Sequence, residues 1–430
     1  MEIEALYQLY QKSTGISIDT RKIEEGNLFF ALKGPNFDAN VFSANALALG
    51  AATVVVDDPR VFQKSDKRYF LVEDCLKALQ QLANYHRKSL DIPIVAITGT
   101  NGKTTTKELV HVALETKYKT VATAENLNNH IGLPLTLLTM KGDTEIGIVE
   151  MGANKIGDIR ELCESAEPTH GLITNIGKAH LEGFGNFEGV LRAKTELYQF
   201  LIERKGKVFI NSADPVLMNM SKRFEDPVLY PQKRDFYHCS LVDANPFVKF
   251  LDRDGKAHQT KIMGSYNFEN IAAALTVAVF FGVEEIKAIE AVAHYIPINM
   301  RSQLIEKRSN LILLDAYNAN PSSMETAIRE FGNMKGKKHK MIVLGDMFEL
   351  GATETEEHQK IGELVNDLDI DKVCFTGKLM QHALVTAPTA LYFPDPFSLR
   401  NWLQDSNLED YLILIKGSRG MKMEELVDFI

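Results

Sequence analysis

A chain of 430 residues, 45% of them hydrophobic, has material for about three domains at roughly 150 residues each. Its 48 basic residues against 57 acidic ones leave a net charge of −9, which argues against a general nucleic-acid surface. Cys75, Cys163, Cys239 and Cys374 lie scattered without Cys-x-x-Cys spacing, against a zinc site or a disulfide framework; with no signal pattern in MEIEALYQLY and no apolar run longer than Ile271–Val283, a reducing cytoplasm and no membrane insertion are expected.

Residues up to about Ser89 read as a small α/β unit, with NLFFALKG and AATVVVDD as its apolar strands. From Leu90 to Pro297, strands alternate with helices: IPIVAIT, TVATA, EIGIVEMG, HGLITNIG and KVFINSAD. That alternation is the mark of a largely parallel sheet covered on both faces. The first of these strands runs into ITGTNGKTTTKEL (Ile97–Leu109). Gly99 and Gly102 free backbone N–H groups to turn towards an anion at the start of the helix expected over Thr104–Thr116, where the dipole favours negative charge. Thr100, Asn101 and Thr105 complete the loop; Lys103 would reach the β- and γ-phosphates of a nucleotide, and the Thr104 hydroxyl would ligate Mg²⁺. A plain strand–helix turn is the competing reading. The general phosphate-loop pattern puts its first Gly five residues before Gly-Lys; here Gly99 stands three before Gly102.

Glu150 closes a buried strand, at the sheet edge where ligands gather, and could complete a Mg²⁺ shell or serve as an ordinary ion-pair partner. His180 and Lys194 follow the next strand. Taken alone, the first reads as a satisfied polar residue and the second as a surface lysine. A β-richer insertion, about Val228–Met263, precedes a long helix whose start carries Asn267 and Asn270 on one face, with N-capping as the plain alternative. After a turn at PINMRSQ, a third block alternates again through LILLDAYNANPSS, KMIVLGDMFELG, KVCFTG, ALYFPD and YLILIKGSRG, placing Asp315 at a strand end before a turn. The basic run KGKKHK (Lys335–Lys340) reads as a solvated loop. The expected fold is therefore α/β in three domains, 1–89, 90–297 and 298–430, with a cleft between the last two.

Together, TGTNGKTTT, SIDTRKIEEGNLFFALKG, NNHIGLPLTLL, EMGANKIGDI, DAYNANPSSM and GDMFELG resemble the Mur ligase family of ATP-dependent amide-forming enzymes along essentially the whole chain. The family's own loop, Gly-Thr-x-Gly-Lys-Thr, accounts for the short glycine spacing. DAYNANPSSM and GDMFELG are similar to the branch that adds D-alanyl-D-alanine to UDP-N-acetylmuramoyl-tripeptide in peptidoglycan synthesis. The resemblance implies a UDP-binding first domain, a phosphate-loop ATPase-like second and a Rossmann-like third, with a monomer expected. It assigns Lys103 and Thr104 to ATP and the first Mg²⁺, Glu150 and His180 to Mg²⁺, and Lys194 to a carbamoylated lysine. Asn267, Asn270, Arg301 and Asp315 become ATP contacts; Ser17, Thr20 and Arg21 face the uridine diphosphate.

The implied reaction forms an acyl phosphate from a substrate carboxylate and the γ-phosphoryl group, which the dipeptide amine then attacks. A locally positive cleft is expected to serve it inside a net acidic protein, and the third domain is expected to swing at Pro297–Arg301. Two positions depart from the branch: Asn40 replaces the His of Asp-Gly-His, and Met300 replaces a common Gly before the linker arginine. A phosphate-loop switch is the alternative outside enzymes. A sister ligase, adding diaminopimelate or lysine or extending folates, is the nearer one; the Asp-Asn-Pro-Arg string typical of the former is absent.

Overall fold

The computed structural model describes residues 2–298 and 300–430; Asn299, inside the expected hinge, lies outside them. At the centre are six parallel strands in the order Val228–Tyr230, Lys207–Asn211, His170–Ile173, Ile94–Thr98, Ile146–Glu150 and Thr120–Ala122. Ile94–Thr98 is buried at every residue, so both its faces need cover. Val95 and Ile97 pack with the helices Lys103–Glu115 and Asn267–Phe280, while Ile94 and Ala96 pack with Asp158–Ala166 and Phe187–Glu203. The strand period of two thus sorts one sequence into two half-cores. Successive strands reach Ile94–Thr98 from both sides, so the order reverses around it, and the crevice beyond the carboxyl ends there is where such sheets bind ligands.

The first domain is a four-stranded parallel sheet in the order Ile16–Ser17, Leu28–Phe30, Thr53–Val56 and Tyr69–Leu71. Helix Cys75–Leu90 leaves it, started by the Asp74 side chain accepting from Lys77 N–H and stopped by Asp91 at φ 49°. This helix joins the first domain to the second. Its Leu79 and Leu82 belong to one continuous core with Phe29 and Val55 on one side and Leu133, Leu137 and Ile159 on the other. Polar ties reinforce the junction: Tyr10 Oη donates to Leu138 O (2.7 Å) and Arg87 Nε to Ala166 O (2.9 Å).

The expected insertion divides in two. Val228–Tyr230 adds an edge to the parallel sheet, and only Ser240–Asp243, Phe247–Leu251 and Ala257–Met263 form a separate antiparallel sheet. In the third domain six strands run in the order Gln303–Lys307, Asn310–Asp315, Tyr411–Lys416, His339–Gly345, Lys372–Thr376 and Leu391–Phe393, the first antiparallel to the rest. Met263 and Phe247 of the antiparallel sheet pack into this domain's core with Met324 and Ile328. In the linker, Met300 and Ser302 sit at φ 55° and 52°. The left-handed backbone explains why Gly suits position 300. Among the described residues no helix is long and apolar enough to cross a membrane.

Candidate active site

A cavity of about 1250 Å³ opens where the second and third domains meet, and reaches the first at Leu76. Its floor is the loop after Ile94–Thr98. Gly99 (φ 144°) lies where a Cβ would stand 2.0 Å from Thr174 Oγ1, and Gly102 (φ 78°) where one would stand 2.6 Å from Asn270 Oδ1, so both positions require glycine. The loop is braced from the neighbouring strand. Thr100 N–H donates to Asn175 O and Asn101 N–H to Asn175 Oδ1, both at 3.0 Å. Lys103 folds over the loop, its Nζ donating to Gly99 O and Thr100 O at 2.9 Å. Burial lowers its pKa to about 8, helped by Arg301 and opposed by Glu150.

Glu150 is only 1% exposed and is no solvated strand end. Thr104 Oγ1 donates to its Oε2 and Asn128 Nδ2 to its Oε1, each at 2.7 Å, while Glu150 N–H donates to Thr123 Oγ1. Behind them the buried Lys107 Nζ holds Thr123 O at 2.5 Å. Lys194 on helix Phe187–Glu203 is likewise no surface lysine, at 2% exposure. Burial, then the neighbouring Lys103, bring its pKa down to about 7. The Phe184 ring lies 5.5 Å from its Nζ and stands edge-on to His180. His180 Nδ1 meets the Glu349 carboxylate of the third domain; burial lowers the imidazole pKa and that carboxylate opposes the shift.

Asn267 and Asn270 lie in the first helical turn after Tyr266, and neither caps the helix. Asn267 Nδ2 donates to Met263 O, Asn270 Nδ2 to Asn267 Oδ1, and Thr106 Oγ1 to Asn270 Oδ1. Arg301 stacks 3.7 Å above the Tyr317 ring, and its buried Nε lacks a partner among the described residues, as suits a group awaiting an anion. Asp315 is paired at 2.5 Å with the buried Lys416, and its Oδ1 accepts from Ser302 N–H. The third domain is docked directly on the phosphate loop: Asn320 Nδ2 donates to Asn101 Oδ1 and Lys178 N–H to Ser322 Oγ, both at 2.9 Å.

Ser17, Thr20 and Arg21 do not line this cavity. Ser17 is buried, with its hydroxyl donating to Asp19 O; Thr20 starts a 3₁₀ turn capped by Asp19; the exposed Arg21 forks onto the same Asp19. Asn40 is fully buried. Its Nδ2 donates to Asp38 and Asp57 at 2.7 Å, and its Oδ1 accepts from Asp57 N–H. The side chain that stands where the branch has His is therefore used up inside the domain.

The expected positive field is corrected by the lining. Lys103, Lys155, Lys194, Arg301 and Lys416 face Glu150, Asp158, Glu161, Glu182, Glu269, Asp315 and Glu349, so carboxylates outnumber cations. Among the described residues no group of three or more His, Cys, Asp and Glu side chains gathers to hold a metal alone. The Thr104 hydroxyl and Glu150 carboxylate nevertheless fit Mg²⁺, a hard ion that usually takes one or two carboxylates and completes its shell with substrate phosphates and water.

Family descriptions match in the order of the three domains: "Mur ligase family, catalytic domain" over residues 12–87, "Mur ligase middle domain" over 97–278 and "Mur ligase, glutamate ligase domain" over 300–419. The UDP-N-acetylmuramoyl-tripeptide–D-alanyl-D-alanine ligase of Bacillus subtilis (strain 168) is 35% identical over 424 residues, 96% of this chain and 92% of that one. The chain belongs to the Mur ligase family. The Escherichia coli (strain K12) protein of the same name is 34% identical over the same shares of both chains. Among solved Mur ligases, a MurF from Acinetobacter baumannii superposes with TM-score 0.88 at 28% identity, covering 99% of this chain and 97% of that one. A Thermotoga maritima MurF in complex with ADP gives 0.85 at 28%, covering 98% and 97%.

Sequence reading left Asn128, Asn175, Tyr317, Asn320, Glu349 and Lys416 without roles. All six line the cavity, and all six lie in segments already singled out as family-like or as strands. Only pairing with residues distant in sequence, within a domain or across two, separates them from ordinary turn residues.

Proposed function

We propose that this Mur ligase joins D-alanyl-D-alanine to UDP-N-acetylmuramoyl-tripeptide with consumption of ATP, through an acyl phosphate, in the cytoplasm and as a monomer. The observation that carries the reading is the docking of a third-domain wall, with its unpartnered Arg301 Nε, onto a braced phosphate loop across one large cavity. The loop N–H groups and Lys103 hold the β- and γ-phosphates, and Arg301 neutralises charge that develops as the phosphoryl group moves. Asn267, Asn270 and Asp315 border the rest of the nucleotide. Thr104, Glu150 and His180, with Lys194 as a carbamate, would hold Mg²⁺, which supplies charge neutralisation on the phosphoryl oxygens. Lys194 suits that change: a deeply buried ammonium beside Lys103 is an unfavourable cation, and its neutral amine can add to CO₂, forming the N–C bond and releasing one proton to solvent, to become an anionic oxygen ligand. Ser17, Thr20 and Arg21 face the uridine diphosphate in the first domain.

A dipeptide site must place the free amine by the acyl phosphate and satisfy a peptide unit and a carboxylate. A site built to hydrogen-bond groups that a rival lacks discriminates by about 10⁴–10⁵. Phosphate release from ATP should therefore require both the UDP-muramoyl-tripeptide and D-alanyl-D-alanine, with kcat/KM far above that for D-alanine, L-lysine or diaminopimelate. Equal or better use of lysine or diaminopimelate with a UDP-muramoyl-dipeptide would move the chain to the sister ligase.

A further inference from the structure

GDMFELG and the loop carrying His180 approach each other across the domain boundary at two points. Glu349 Oε2 meets His180 Nδ1 in a close ion-pair contact that falls short of hydrogen-bond geometry, and Glu182 N–H donates to Glu349 O at 3.2 Å. Both central residues are non-glycines held in the left-handed region, His180 at φ 49° and Glu349 at φ 63°. Such backbone persists only where its surroundings over-determine it, and it gathers at functional sites. The surroundings of Glu349 do so. Met347 N–H donates to the buried His358 Nε2 at 3.1 Å and Phe348 N–H to Ser418 Oγ at 3.0 Å, while His358 Nδ1 donates to Glu354 O at 2.7 Å. Asp346 Oδ1 accepts from Leu379 and Met380 N–H. The backbone leading into Glu349 is thus pinned inside the third domain, and Glu349 lines the cavity between the second and third domains.

We propose that Glu349 is a positioning residue for His180, supplied by the third domain, so that the metal-side constellation is complete only when that domain is docked. The inference rests on the reading of His180 as a magnesium ligand. A neutral imidazole carries one N–H and one lone pair. A carboxylate held against Nδ1 favours the proton there, and a small turn of the ring lets it accept that proton's hydrogen bond, which fixes the ring plane and leaves the Nε2 lone pair for an ion. Docking of the third domain then orients a ligand of the second, and a misplaced third domain leaves the phosphate loop intact but its metal site loose.

The test compares Glu349→Ala, Glu349→Gln, His180→Ala and the His180→Ala/Glu349→Ala double variant, each with circular dichroism and a urea midpoint matching the parent. Two quantities are read: steady-state kcat and KM for ATP, and Mn²⁺ affinity in the presence of ADP by electron paramagnetic resonance. Outer partners of metal-bound histidines typically change affinity or activity by about 10–100-fold. Glu349→Ala should lose that much in kcat and in Mn²⁺ affinity with KM for ATP little changed. Glu349→Gln, whose amide oxygen still accepts from Nδ1, should recover part of the loss. The double variant should be no worse than His180→Ala. Parent-like kcat and Mn²⁺ binding in Glu349→Ala, tighter Mn²⁺ binding there, or losses that simply add in the double variant would each overturn the inference while leaving His180 in its role. Full activity and Mn²⁺ binding in His180→Ala would instead overturn the magnesium reading beneath it.

Discussion

Lys103 keeps its charge above the phosphate loop through two carbonyls at 2.9 Å, so it is in place before any phosphate arrives. Removing one preorganised donor of this kind typically costs about 10²–10³ in turnover. Lys103→Ala should lose that much in kcat with unchanged circular dichroism, and a loss under about tenfold would contradict the assignment. Asn40 makes the opposite kind of contribution. It is buried among Asp38 and Asp57, and among the described residues Lys33 is the cation paired with Asp57. Asn40→Ala leaves buried acceptors short of a donor, which costs roughly 1–3 kcal/mol; the urea midpoint should fall while kcat at saturating substrates holds. From the sequence the two positions were legible only as departures from the branch pattern. Asn40 is a structural clamp, and Met300 occupies a left-handed position that glycine would fill with less strain.

At the scale of elements, His170 opens a central strand and meets the end of helix Asn267–Phe280, its ring 5.5 Å from Phe280 and 4.9 Å from Phe281. Burial, with Lys207 adding to it, pulls its pKa from 6.5 to about 4. The unfolded chain then binds the extra proton between those values, so His170 contributes stability above about pH 6.5 that is lost as pH falls towards 4. Melting temperatures across that window should drop in the parent and drop less in His170→Phe; parallel curves would remove His170 from the account. Strands such as Ile94–Thr98 and Ile146–Glu150 were legible because complete burial leaves continuous apolar runs bounded by turns. Val228–Tyr230 was not, since three residues carry no period and their place depends on a neighbouring strand. The phosphate loop could be read from glycine and lysine spacing. The Asp315–Lys416 pair could not, because its partners are far apart in sequence and only sheet order makes them neighbours.

For the whole molecule, the contacts of the third domain on the second are short and mostly polar, such as Ser265 Oγ to Glu330 at 2.6 Å and Tyr266 Oη to Ser302 Oγ at 2.6 Å, with Met263 and Phe247 as the apolar exception. Polar interdomain surfaces of this kind make relative motion the default, and enclosure protects an acyl phosphate from water. Small-angle scattering should give a larger radius of gyration without ligands than with ATP and both substrates. Identical profiles would mean that the cleft is permanently shut.

The continuous core linking Phe29, Leu82 and Ile159 has a calorimetric consequence. The first domain has no interior separate from that of the second, so the chain should melt as two units and show two endotherms where its three domains would suggest three. Enthalpy scales with the number of residues melting, and the unit holding the phosphate loop should take the larger share. A nucleotide gripped from both sides of the cavity would tie the units together, and the two heat-absorption peaks should then draw towards one.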